Sequence, residues 1–166
     1  PIETWAQTGL TITGKITYSK VDPKSPLYFY ESVRKSEGEK TISKTKFTDR
    51  EGKIVVEEES VYEKGLVLKY SFKQNQVNEF GTIESKDGKM NFTFTSQGKL
   101  ETDEEDIEPN MIVADMIGDH IRKNWDELAK GETIKFRFLL AERLETIGFK
   151  IFVDKEREVR GIPAVD

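Results

Sequence analysis

Residues 65–97 read GLVLKYSFKQNQVNEFGTIESKDGKMNFTFTSQ. Apolar and polar residues take turns here. Leu66, Leu68, Tyr70 and Phe72 fall on one parity, and Met90, Phe92 and Phe94 alternate with Asn91, Thr93 and Thr95. A period of two marks a strand with one buried side, because successive side chains leave opposite sides of a pleated backbone. The segment 76–85 lies between these two strands as a third. SKDGK (85–89) joins the last pair, and its Gly88 can take the positive φ that a tight hairpin turn demands. Successive hairpins make a meander. Hairpins need no crossover helix, so the predicted sheet is antiparallel.

The rhythm runs back to the start of the chain. Segments 10–18, 26–34, 40–48 and 53–63 read as four more strands, with glycine turns at Gly52, Gly65 and Gly98 punctuating the series. Leu10, Ile12, Ile16 and Tyr18 share a face of the first, and Leu27, Phe29 and Val33 a face of the second. Segment 40–48 is the most polar, which suggests an edge strand or a bulge. The acidic run 101–110 reads as a solvated loop, with Pro109 suited to the first turn of a helix.

Residues 110–131, NMIVADMIGDHIRKNWDELAKG, read as that helix. Val113, Ile117, Ile121 and Leu128 follow an i, i+4 line with Trp125 beside them, and Gly131 supplies a stop. Asp115, Asp119 and Asp126 fall together on the opposite face with Arg122, as expected of an exposed ion-pair face with pairs Asp119–Lys123 and Arg122–Asp126. Gly118 costs ~1 kcal/mol relative to alanine in mid-helix, so close approach of the helix to the sheet is its expected reason. Segments 132–142 and 145–155 complete the strands, joined around Arg143–Leu144.

The sum is a mainly β chain. About nine antiparallel strands form one domain over 1–166, with 1–9 and 156–166 expected as flexible ends. A meander with one wet face must bury the other, so the expected architecture is a barrel or half-barrel with the amphipathic helix (about 110–130) packed on or inside it. This plan, a strand meander with a helix placed late, resembles the lipocalin-like (calycin) barrels in outline. The resemblance implies a curved sheet able to hold a small hydrophobic molecule. It is architectural, since Trp5 stands between Thr4 and Ala6 and the family's glycine-x-tryptophan motif is absent. No residue role is carried over from it.

Composition narrows the function. The chain has 166 residues, no cysteine, one histidine and a net charge of −5. Lack of cysteine excludes thiol chemistry, disulfides and cysteine-held metals. The charges are mixed and show no basic stripe, so nucleic acid is not an expected partner. No apolar run approaches the ~18 residues of a membrane-spanning helix. No phosphate loop, dinucleotide fingerprint, HExxH or calcium loop is present, so neither cofactor nor metal is expected. His120 sits on the helix flank, away from the aspartates. It is the one base a Ser-His-Asp triad could use, and no nucleophile elbow accompanies it.

Ten phenylalanines and five tyrosines supply a generous set of aromatics on apolar parities. Phe29, Tyr70, Phe72, Phe92, Phe94, Phe136 and Phe138 are the expected lining of a lumen, with Glu31 and Glu58 as acids that could point into it. Arg34 or Arg137 would be the expected partner of a buried Glu58. The expected function is a non-enzymatic binding domain of bacterial-envelope type that holds a small hydrophobic ligand. The alternative is a structural or protein-interaction domain with a filled core. The start PIETW lacks an initiator methionine, as expected where an N-terminal segment has been removed, and the strand-rich plan points towards an exported protein, periplasmic or extracellular, with the cytoplasm left open. Oligomeric state is not legible.

Overall fold

The computed structural model describes residues 9–17, 26–154, 156–159 and 162–165, the last two segments by their backbone alone. Residues 1–8 and Tyr18, named in the sequence reading, lie outside the described residues. Eight strands form one antiparallel sheet in sequence order: β1 Leu10–Ile16, β2 Tyr28–Glu37, β3 Lys40–Thr48, β4 Ile54–Glu63, β5 Leu66–Gln74, β6 Glu79–Lys86, β7 Lys89–Ser96 and β8 Lys99–Asp106. Two-residue turns at Asp87–Gly88 and Gln97–Gly98 put both central residues at positive φ (53° and 78°, 52° and 78°). That is the mirror-image turn whose twist matches the twist of the flanking strands.

Two departures from the expected meander follow from its ends. The polar strand β3 is interior, between β2 and β4, while β1 and β8 are the edges. The acidic run 101–110 is not a loop up to residue 106: it forms most of β8. An edge strand exposed on both sides needs no apolar alternation, so its acids hid it.

Cross-strand pairs share a sheet face, and the registers draw two rows across all eight strands. One row is Leu10, Arg34, Ser43, Ser60, Tyr70, Ile83, Phe92 and Asp103. The next is Ile12, Ser32, Thr45, Glu58, Phe72, Gly81, Phe94 and Glu101. Each row runs from apolar through polar to aromatic and ends acidic. In β5 a register shift opposite Val61 and Tyr62 turns Val67, rather than Leu68, onto this face, where it is fully buried.

The covering layer comes from the C-terminal third. The expected helix 110–130 starts later and is broken. β9 (Met111–Ile112) comes first, then a 3-10 turn at Ala114–Met116, α1 (Ile117–Lys123) and α2 (Trp125–Ala129). Asn124 separates the two helices at φ −107°, and its side-chain amide donates to the His120 carbonyl (2.7 Å). β10 (Ile134–Leu140) and β11 (Glu145–Ile151) do not extend the meander. They form a second sheet in which β9 pairs parallel to β10, because the helical crossover returns the chain in the same direction. Beyond it, the backbone of β12 (Glu156–Val159) and β13 (Ile162–Val165) pairs as a hairpin.

One cluster joins the layers. Val67, Phe72, Ile83, Met90 and Phe92 from the meander meet Met111, Ile112, Val113, Met116, Phe136, Leu139 and Ala141. Burying each such large side chain contributes about 1.5–3 kcal/mol. A polar clasp fixes β11 to β8. Glu105 accepts from the Thr146 amide (2.9 Å) and hydroxyl (2.6 Å), and Arg137 Nε donates to the Thr146 hydroxyl (2.9 Å). Among the described residues no helix is long and apolar enough to cross a membrane.

Candidate binding site

The polar middle of the rows meets the start of the helix. Arg34 Nη1 donates to Asp119 (2.7 Å), and Arg34 Nη2 donates to the Asp115 carbonyl oxygen (2.5 Å). Ser60 Oγ donates to the Asp115 carboxylate (2.8 Å). Asp115 therefore faces the sheet, and Asp119 stands at its border, 39% exposed, between Arg34 and the exposed Arg122. The helical wheel grouped them correctly, but Arg34 on β2 draws the Asp115 end of that face inward, while Arg122 and Asp126 stay exposed. Arg122 also reaches Asp119 (2.7 Å), in place of the expected Asp119–Lys123 and Arg122–Asp126 pairs. Burial raises the Asp115 pKa above the usual carboxylate range, against the opposing Ser60 and Arg34 interactions.

Glu58 does face inward, but neither expected arginine holds it. Arg34 is taken by the helix and Arg137 by Glu105 and Glu108. Its partner is the Tyr70 hydroxyl, which donates at 3.4 Å. Burial raises the Glu58 pKa, opposed by that hydrogen bond and reinforced by Asp115 and Glu142. The space among Ser43, Glu58, Ser60, Tyr70 and Asp115 is only about 10 Å³, roughly room for one water.

The residues expected to line a lumen divide into three groups. Phe72, Phe92 and Phe136 are core, and Tyr70, Phe94 and Phe138 pack partly buried against it. Phe29 and Glu31 lie on the other side of the sheet, because their cross-strand partners are Thr48 and Lys46 rather than members of the rows. There Lys46–Glu31 (3.0 Å) and Lys44–Glu59 (3.5 Å) wall a depression of about 660 Å³ floored by Val33 and Ile42.

The helix residues divide as well. Val113 and Leu128 are buried and Ile117 and Ile121 partly so, with Val113 extended ahead of the helix. Trp125 is 46% exposed, so it lies outside the expected stripe. A Cβ on Gly118 would meet nothing within 4 Å, so close approach is not the reason for that glycine.

A cleft of about 770 Å³ opens between α1, the β4–β5 hairpin and the β8–β9 connection. Leu66, Met111, Ile112 and Met116 make it apolar, and Tyr62, Asp119, His120 and Lys123 also line it. None of the apolar four was expected at a site: Leu66 stood only as a strand residue, and Met111 and Ile112 read as part of a helix. The break in helical pattern between the Met-Ile-Val run and the first aspartate is the signal that could have exposed them. The His120 ring packs 5.5 Å from that of Phe136, and burial lowers its pKa, with Lys123 adding to the shift. Its Nε2 and the Tyr62 hydroxyl are buried without a hydrogen-bond partner. Burial, with Asp115 next, pushes the Tyr62 pKa up to about 12, so the phenol keeps its proton. Among the described residues no cluster of histidine and acids is arranged to hold a metal.

No family model, curated protein or solved structure matches the chain.

Proposed function

We propose that the protein is a non-enzymatic binding domain of bacterial-envelope type that takes a small, largely apolar molecule in the cleft beside α1. The meander curls around the helix and small sheet as a half-barrel in this reading, and the ligand enters at its mouth rather than in a central lumen. The observation that carries it is the cleft. Its roughly 770 Å³ falls within the ~300–1,000 Å³ of small-molecule sites, and its apolar floor is joined by a few polar groups. The strand-rich plan supports an exported location.

A second reading, a protein-interaction domain, is favoured by Leu10, Ile12 and Ile16, which stand exposed on the edge strand β1. One titration separates the two. The fluorescent apolar probe anilinonaphthalene sulfonate is expected to bind at one site and to be lost in a Leu66→Trp variant that keeps the parental Tm. Probe binding that survives Leu66→Trp and disappears in Ile12→Lys would overturn the cleft in favour of the β1 face.

A further inference from the structure

Four ions line the cleft, and three are already committed. Lys64 pairs with Glu39 (2.7 Å), Glu108 with Arg137 (3.5 Å), and Asp119 with both Arg34 and Arg122 (2.7 Å each). Lys123 has no counter-ion among the described residues. Its uncompensated positive charge faces a cleft floored by methionines, isoleucine and leucine.

The wall adds a second, independent observation. Tyr62 is 6% exposed, and its hydroxyl lies beside the Asp119 carboxylate without a hydrogen bond of ordinary geometry. The nearby Asp119 carboxylate is engaged by two guanidinium groups instead. His120 Nε2 is equally without a partner. A buried polar atom left unpaired is destabilising, and native structures rarely tolerate one without a reason. Both orphans belong to the same cleft. The tyrosine O–H and histidine in its Nε2–H tautomer are donors, as is the lysine ammonium. The missing complement is an acceptor carrying one negative charge.

We infer that the ligand is a single-chain amphiphile ending in a carboxylate, with its apolar body over Leu66, Met111, Ile112 and Met116 and its head at Lys123, Tyr62 and His120. This rests on the cleft being the binding site. A cationic head would meet Lys123 while both acids that line the cleft, Glu108 and Asp119, are paired. A neutral head would leave the lysine uncompensated. Because the two orphan atoms are shut from water, the head reaches them by a small parting of the wall, and its hydrogen bonds then form out of solvent.

The test uses dodecanoate, its methyl ester, dodecanol and dodecylammonium, each below its aggregation threshold, displacing the fluorescent probe from the whole chain. Dodecanoate is expected to bind about tenfold tighter than the ester, a difference of ~1.4 kcal/mol. Lys123→Gln is expected to weaken dodecanoate about threefold, the scale of a partly exposed charge pair, and to leave the ester unchanged. Tyr62→Phe is expected to weaken dodecanoate about fivefold while the Tm of the unliganded protein does not fall, because the hydroxyl makes no bond of ordinary geometry there. Equal binding of acid and ester, or preference for dodecylammonium, would overturn the carboxylate while leaving the cleft as the site. If Leu66→Trp spares the displacement of probe by every amphiphile, the site and the carboxylate both fall. A lower unliganded Tm in Tyr62→Phe overturns the assignment of that hydroxyl to the ligand.

Discussion

One sheet face carries two apolar regions with opposite fates. In the first row Phe92 is 1% exposed and Leu10 57%. In the second Phe72 is buried and Ile12 stands 44% exposed. Both ends alternate, and both point the same way. What separates them is the covering layer. The small sheet and the turn at Ala141–Arg143 press on β5, β6 and β7, whereas the helix start meets β2 and β4 through the polar contacts of Arg34 and Ser60 and, at the end of β4, through Tyr62 of the core cluster. The polar middle of each row is the border of that coverage. Alternation in a sequence tells which side a residue faces; it says nothing of whether that side is roofed.

The sharpest break of this comparison is a pair of truncations. Phe92→Ala is expected to cost about 4 kcal/mol, the price of a cavity in a packed core, and Ile12→Ala less than ~0.5 kcal/mol. Urea midpoints read both. A loss above ~1 kcal/mol for Ile12→Ala would mean that the β1 end is covered after all.

A matched pair of glycines sharpens it further. A Cβ on Gly81 would run into the Phe72 ring and stand 3.0 Å from the Ala141 Cβ, while one on Gly14 would run into the Tyr30 ring. Phe72 is held against Phe94 and the core and cannot yield, whereas Tyr30 is half-buried at the open end and can swing away. Gly81→Ala is expected to cost ~2 kcal/mol by overpacking and Gly14→Ala less than ~1 kcal/mol. Thermal melts that give equal losses would contradict the difference in packing.

The smallest effect concerns the border. Glu58 has its pKa raised above 4.5 by burial, so the folded state holds the proton more tightly than the unfolded chain. Below 4.5 both states are protonated and no penalty exists. As pH rises through the folded value, Glu58 ionises in a poor environment and stability falls. Glu58→Gln is therefore expected to raise the Tm at pH 7, with the gain vanishing at about pH 4. A variant less stable than its parent at pH 7 would show that the ionised carboxylate is needed.

Much of the fold was legible because hairpin turns and alternation are local. Segment 40–48 matches β3 at both ends, and Met90, Phe92 and Phe94 lie on one face. The misreadings have a common cause, contacts distant along the chain. The wheel gathered Asp115 and Asp119, but Arg34, 81 and 85 residues away, decided that the Asp115 end of their face turns inward. β9 is a two-residue parallel pair made by β10 after the helical crossover, so nothing local distinguishes it from the first turn of a helix. Phe29 and Glu31 sat on a plausible parity, but pairing with Thr48 and Lys46 put them on the far side. The cleft was missed for the same reason: its floor joins Leu66 to Met111, Ile112 and Met116.

The two edges of the meander bear on how copies of the protein meet. β8 presents Glu101, Asp103, Glu104 and Asp106, whereas Lys15 is the one charged residue in β1. Two β8 edges repel, and docking β8 on another sheet would strip water from its carboxylates. Growth of a fibre needs both edges of every copy to accept a neighbour. With one edge closed by charge, strand addition at β1 would end after a single step, so a β-branched border that is open among the described residues does not make the sheet a filament nucleus.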